Sequence, residues 1–502
     1  GNNAGNLAGN FVIIGNNAGQ KINGTGVTHI GYQAGTFATG SNNTFVGTEA
    51  GYGGTTSAPY SSGQYNVAMG YQALTAFTTG INNVAVGYQA GMDLTTGGEN
   101  VLVGKLAGAN LTSGEDNTII GYGPMELATT AIGNVVIGSG ASYAVPAGVA
   151  LSGVVSIGRN ALRGASATTG LNYSVAIGQN ASQLLTSGAG NISIGYDALG
   201  VHTTGARNIA IGYGAMNDTD VGSTSLGSND NIFMGYDAGG GTWADADSKE
   251  NVAIGNYAMD GALDGAIRNV AIGHDALSGA TGADYNQAIG YRALYSANTG
   301  GQNSVMGHEA AANITSGGQN VAIGYHAGYN NQTGVYNVHI GVQAGYGAVS
   351  NSANTNTFVG YKAGYDVSSG YSNVAIGGGA LENVTTGYDN VVVGNYAGST
   401  LTTTNFVTLV GRMAGASINH TDANHTVAIG YQALHDLTSG QNSVAVGYRA
   451  LADVTTGDYN TAVGYAALDA ITTGNDNVAL GWGAGGSTSN TTGTNNTFLG
   501  SN

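Results

Sequence analysis

The sequence predicts an all-β fold, a parallel β-solenoid of about 28 coils with a modal length of 17 residues, and three observations predict it. First, a Gly preceded by Val, Ile, Leu or Met recurs 28 times between Gly15 and Gly500, and 16 of the 27 spacings are 17 residues. Second, the residue three after this anchor is Ala in 26 of 27 cases, Pro124 being the exception, and Asn stands four before it in 21 of 28. Third, Gly is 89 of 502 residues, Pro only 3, and charged residues are 8%. A fixed period with occasional insertions means one unit stacked many times, the extra residues bulging into loops.

One unit is clear at residues 83–97. Val84, Ala85 and Val86 form the strand, with side chains on alternate faces. Gly87 breaks it where the chain turns. Ala90, like Ala73 and Ala107, occupies a corner where only a small side chain fits. Thr95-Thr96-Gly97 reads as a wider turn whose Gly takes a positive φ. Each unit is thus expected to hold a strand, a corner, a second short strand and a turn. Gly and β-branched residues at this density are poor helix formers.

Like residues stack on like residues in such a fold. Asn66, Asn83, Asn100, Asn117 and Asn134 are expected to form a side-chain amide ladder. The strand is apolar on both faces: one carries the Val/Ile pair, the other Ala or a larger group, as in Thr44-Phe45, Thr118-Ile119 and Thr357-Phe358. A lone roll buries one face and wets the other. The Ala/Phe face is therefore expected to pack on a second copy of the chain, giving a homo-oligomer.

Composition also excludes classes of function. Gly does not recur at every third residue, so collagen is excluded. A net charge of −17 with 11 Lys+Arg argues against nucleic acid and against an anionic membrane. The chain has no Cys, hence no disulfide or thiolate chemistry. No apolar run approaches membrane-span length, so no membrane insertion is expected. Gly1–Gly5 repeats the pattern of Gly15–Gly19, and the chain ends at a strand like those within it. Residues 1–502 are therefore expected to be one continuous solenoid, a segment of a longer chain with both caps missing.

Units such as Asn66-Val-Ala-Met-Gly-Tyr-Gln-Ala73 and Thr426-Val-Ala-Ile-Gly-Tyr-Gln-Ala433 resemble the head repeat of YadA-type trimeric autotransporter adhesins. Asn442-Ser-Val-Ala-Val-Gly447 nearly spells that family's Asn-Ser-Val-Ala-Ile-Gly. With Gly-Tyr-Gln-Ala and Thr-Thr-Gly, the 17-residue version looks more like repeats of phage and marine-virus tail fibres. The resemblance covers essentially the whole chain, although its coils are longer than the adhesin's. It implies a left-handed β-roll, a homotrimer and an extracellular role in surface attachment, on a virion tail fibre or a bacterial cell surface. A non-enzymatic fibre or shaft segment without cofactors is the expectation. The alternatives are an extracellular filament-forming scaffold, a bacterial adhesin head, and an ice-binding solenoid using the Thr column at Thr78, Thr95, Thr112, Thr186 and Thr203.

Candidate site residues are few. Asp245, Asp247 and Glu250 resemble an oxygen-ligand calcium loop, against the alternative of a solvated insertion. His420, Asp422 and His425 share one long coil and are weighed as metal ligands against a polar loop. The turn acids Glu115, Asp116, Asp389, Asp458 and Asp476 read as solvated turn residues. Tyr follows the anchor in 13 coils. Tyr71 and Tyr88, with Tyr60 and Trp243 in insertions, are candidate contacts to a cell-surface glycan or protein receptor, against a packing role.

Overall fold

The computed structural model describes residues 9–164, 170–218, 227–243, 246–349, 351–486 and 491–501. The chain is all-β, a parallel β-solenoid whose 28 ladder strands are almost all three residues long. It comprises two compact units, Gly1–Asn251 with Ala262–Gly265 and Val252–Gly261 with Ala266–Asn502. Each is built the same way. Among the described residues the only helix is one 3₁₀ turn, Thr421–Ala423.

Register holds from coil to coil within each unit. Val84, Ala85 and Val86 pair with Val101, Leu102 and Val103. Val427, Ala428 and Ile429 pair likewise with Val444, Ala445 and Val446. Insertions leave it unshifted: across the 23-residue spacing from Gly47 to Gly70, Phe45 still faces Ala68. Each coil is tied to both neighbours, as Val84 N–H donates to Asn100 O at 2.8 Å and Gly87 N–H to Met69 O at 2.8 Å.

The anchor Gly is required by its backbone and by its neighbour. Gly121 has φ +141, and a Cβ there would lie 2.7 Å from the carbonyl oxygen of Gly138. A turn follows, closed by the Ala N–H three residues on, as in Ala293 N–H to Gly290 O at 3.3 Å. Its third residue is left-handed, Gln89 having φ +54, as a type II turn demands. Pro124 stands at the Ala position without an N–H and cannot close this turn.

Three expectations about the coil are corrected. The second short strand is mostly absent: among the described residues, it is a two-residue strand at Ala131–Ile132 and Leu151–Ser152 and single parallel bridges at Ala38 with Ser61, Glu115 with Ile132 and Asn331 with Asn351. Elsewhere that side is turn backbone, still hydrogen-bonded between coils, as in Thr78 N–H to Thr95 O at 2.8 Å. Gly97 does not take a positive φ; Glu99 does, at +62. Gly is needed at 97 because a Cβ would collide with the carbonyl of Gly114.

The third correction concerns which strand face is inside. The central residue points into the coil, and Phe45, Ala85, Leu102, Ile119 and Phe358 are all fully buried. The flanking Val/Ile pair points outward, giving the recurring order half-buried, buried, half-buried or exposed. A coil closes on the central column because Ala or a single large side chain fills its narrow interior, while two β-branched chains per strand do not fit there.

The interior is filled by compensation between two positions. Where the central residue is Ala, the residue four after the anchor is often Leu or Met: Ala68 with Leu74, Ala271 with Leu277, Ala428 with Leu434, all buried. Where it is large, that residue is usually small, Gly at most such levels and Ser142 beside Val136; Ile119 is an exception, with Met125 also fully buried. A Cβ on Gly51 would lie 2.5 Å from the Phe45 ring, and one on Gly415 2.9 Å from Leu409. Close packing leaves room for one large group at most levels. Gly91, beside Ala85, follows the same rule across coils, since its Cβ would meet Leu102 of the next coil at 2.6 Å.

Candidate functional site

The Asn ladder forms as expected and is a structural element. Asn83 N–H and Nδ2 both donate to Asn66 Oδ1, at 3.0 and 3.1 Å, and Nδ2 also reaches Gly97 O at 2.9 Å. Asn100, Asn117 and Asn134 repeat the pattern. Asn suits the position because its oxygen accepts from the next coil while its NH₂ ties the opposite corner. Ala73, Ala90 and Ala107 are fully buried at the corner. The Thr column is committed to the same ladder: Thr78, Thr95, Thr112 and Thr186 donate their hydroxyls to carbonyls of the next coil at 2.9–3.1 Å. Those hydroxyl protons are therefore not free to order surface water.

Trp243 is not a surface contact residue. It is 1% exposed, its ring centroid 5.7 Å from Phe233, and its Nε1–H donates to Gly239 O at 3.1 Å. Gly239 makes room for Phe233, and the indole closes the remaining space. Tyr71 and Tyr88 stack at 5.3 Å and 15°, with Lys105 5.7 Å from the Tyr88 ring centroid. One face of each ring covers the other, and both residues stay exposed, Tyr71 at 44% and Tyr88 at 46%. Tyr60 is half-buried, stacked on Phe37 at 6.0 Å with Lys21 5.6 Å from its centroid.

Asp245 lies outside the described residues. Asp247 pairs with Lys249 at 2.8 Å and accepts from Gly227 N–H at 2.9 Å; the Lys249 hydrogen bond holds its carboxyl below the usual carboxylate range. Neither Asp247 nor Glu250 joins a three-ligand group among the described residues. His420 caps the 3₁₀ turn through Asp422 N–H at 3.2 Å, and His425 stacks on Phe406 at 5.2 Å. Asp458 accepts from Gln441 N–H at 2.9 Å, a ladder bond of the turn.

The outward face of the strand ladder is an exposed apolar feature of both units. In the second unit Ile254, Ile272, Met306, Ile323, Ile340, Ile376 and Ile429 are exposed, between 36% and 49%. In the first unit Val12, Ile14 and Met69 are exposed, while Val84, Val86, Val101 and Val103 are half-buried. None of the ladder strands carries Asp, Glu, Lys or Arg. The column next to the anchor is aliphatic throughout, while the other outward column is interrupted by polar residues such as Thr118, Gln287 and Ser304. Inside, His29 and His339 replace the central residue, stacked on Phe45 and Phe358 at 4.9 and 5.5 Å, and burial lowers both pKa values to about 4.

The sequence reading missed one cluster. His308, Glu309 and His326 offer ligand atoms all within 4.8 Å of one another. They lie in adjacent coils, so no short motif joins them; the signal was column arithmetic, since residues 309 and 326 both stand two after an anchor.

No protein-family model matches the chain, and a search of curated proteins finds no match either. Among the described residues no helix is long and apolar enough to cross a membrane.

Proposed function

We propose that this chain is a non-catalytic structural segment of an extracellular fibre, whose solenoid units associate side by side with other copies of the chain as a homotrimer. The assembly mediates surface attachment, on a virion tail fibre or a bacterial cell surface. One observation carries the reading: the outward Val/Ile columns, uncharged and half-exposed along each unit. A second copy suits them because a repeating column is complementary to its own repeat, spaced by the same strand ladder. The number three and the setting follow from the resemblance to trimeric adhesin heads and tail-fibre repeats.

Native mass spectrometry and light scattering on the full chain test this. A mass of three chains is expected, falling to one chain when Ile254→Lys, Ile272→Lys and Ile323→Lys are combined. A single-chain mass for the unsubstituted protein overturns the proposal, and an open-ended mass distribution replaces it with a filament. For attachment, labelled trimer is expected to decorate intact bacterial cells; absence of binding across a broad host panel removes that half.

A further inference from the structure

The corner following the anchor carries a polar ladder, and in one stretch that ladder changes chemistry. Two residues after the anchor stand Glu49, Gln72 and Gln89 in the first unit, joined through side-chain amides at 2.7 and 2.8 Å. The same column in the second unit runs Asp275, Arg292, Glu309, His326. Arg292 Nε lies 3.3 Å from Asp275 Oδ2, and His326 Nε2 lies 2.7 Å from Glu309 Oε2. His308, one residue after its anchor, completes the group of three.

We propose that His308, Glu309 and His326 form a binding site for a divalent transition ion of the zinc type, clamping two adjacent coils. Two imidazoles and one carboxylate are the borderline donor set that zinc takes, with a fourth position left for water or an outside ligand. Calcium prefers six to eight oxygens and is not offered them here. Tetrahedral zinc places such donors about 3.3 Å apart, so a group already within 4.8 Å closes by side-chain rotation alone. The contact between His326 Nε2 and Glu309 Oε2 already holds two of the three ligand residues side by side across the coils.

The backbone beneath is fixed. Glu309 N–H donates to Tyr291 O at 2.8 Å and His326 N–H to His308 O at 3.1 Å. The left-handed φ of both residues, +51 and +53, directs them out of the corner together. Aromatic rings wall the cluster: Tyr325 stacks on His326 at 3.9 Å, Tyr329 lies 4.7 Å from it, and Tyr291 is 4.8 Å from His308. The opposing charge is Arg292, whose Nη1 is 4.0 Å from Glu309 Oε1. Its pairing with Asp275 reduces its repulsion of a cation.

The test is titration of the full chain with Zn²⁺ alone in competition with a chromophoric chelator. One tight equivalent per chain is expected, weakened at least about tenfold by His308→Ala, Glu309→Gln or His326→Ala and unchanged by His420→Ala. Excess Ca²⁺ is expected to leave it in place. X-ray absorption on the unsubstituted chain with one equivalent bound is expected to show two imidazole nitrogens, which keeps the test independent of how the variants fold. Full affinity in the His308→Ala, His326→Ala double variant, an all-oxygen shell, or binding only at millimolar zinc each overturns the proposal.

Discussion

The inner and outer faces of the strand ladder are both largely apolar, the inner rich in Ala and the outer in Val and Ile, and stand in opposite circumstances. Inside, the central column is sealed, and most large residues there are matched by a Gly or small residue at a neighbouring position, as Phe45 is by Gly51. Outside, Val and Ile recur with no matching partner in the chain, and many stay exposed. The inner face is therefore constrained by volume and the outer by polarity alone. A change of size is felt inside; a change of charge is felt outside, and only through whatever covers that face.

The largest expected effect is on the inner column. Phe358→Ala opens a cavity beside Gly364 and is expected to lower stability by about 3–5 kcal/mol. Adding Gly364→Leu, which recreates the Ala/Leu pairing of Ala375 and Leu381, is expected to recover part of it in urea titrations. Lack of any rescue would remove the compensation rule.

Acid separates the faces next. His29 and His339 have folded pKa values lowered by burial from 6.5 to about 4. Between those values the unfolded chain binds more protons, so stability rises with pH and falls as pH drops below about 6.5. The full penalty, reached below about pH 4, is about 3 kcal/mol per histidine. Urea midpoints measured from pH 7 to pH 4 check this, and His339→Ala is expected to flatten the pH slope of the second unit.

The Asn corner yields a smaller loss. Asn100→Ala removes the acceptor for Asn117 N–H and Nδ2 and is expected to destabilise by about 1–3 kcal/mol, read as an earlier urea midpoint. Smallest of all is Ile272→Asp on the outer face. It is expected to shift single-chain stability by no more than about 0.5 kcal/mol, while raising the concentration needed for self-association. A large loss in the isolated chain would show that the outer column belongs to the chain's own core.

Particular residues mark where the sequence was legible. The Asn and Ala columns and the strand register were, because a constant period superposes equivalent residues whatever the path of the coil. Trp243 was not: it sits in an insertion whose return into the core follows from the space left by Gly239, seventeen or more residues from any equivalent. The cluster at His308 was hidden for a related reason. His326 joins the adjacent His308 and Glu309 only after one coil is laid on the next.

By itself, then, the chain's periodicity determined that it stacks as parallel strands in register, with Asn and small residues at fixed corners. Only the tertiary structure decided which face of the strand is interior. With apolar residues on both sides, alternation carries no sign; the sign comes from closing the coil, whose narrow cross-section admits one large side chain at most levels and turns the paired Val and Ile outward.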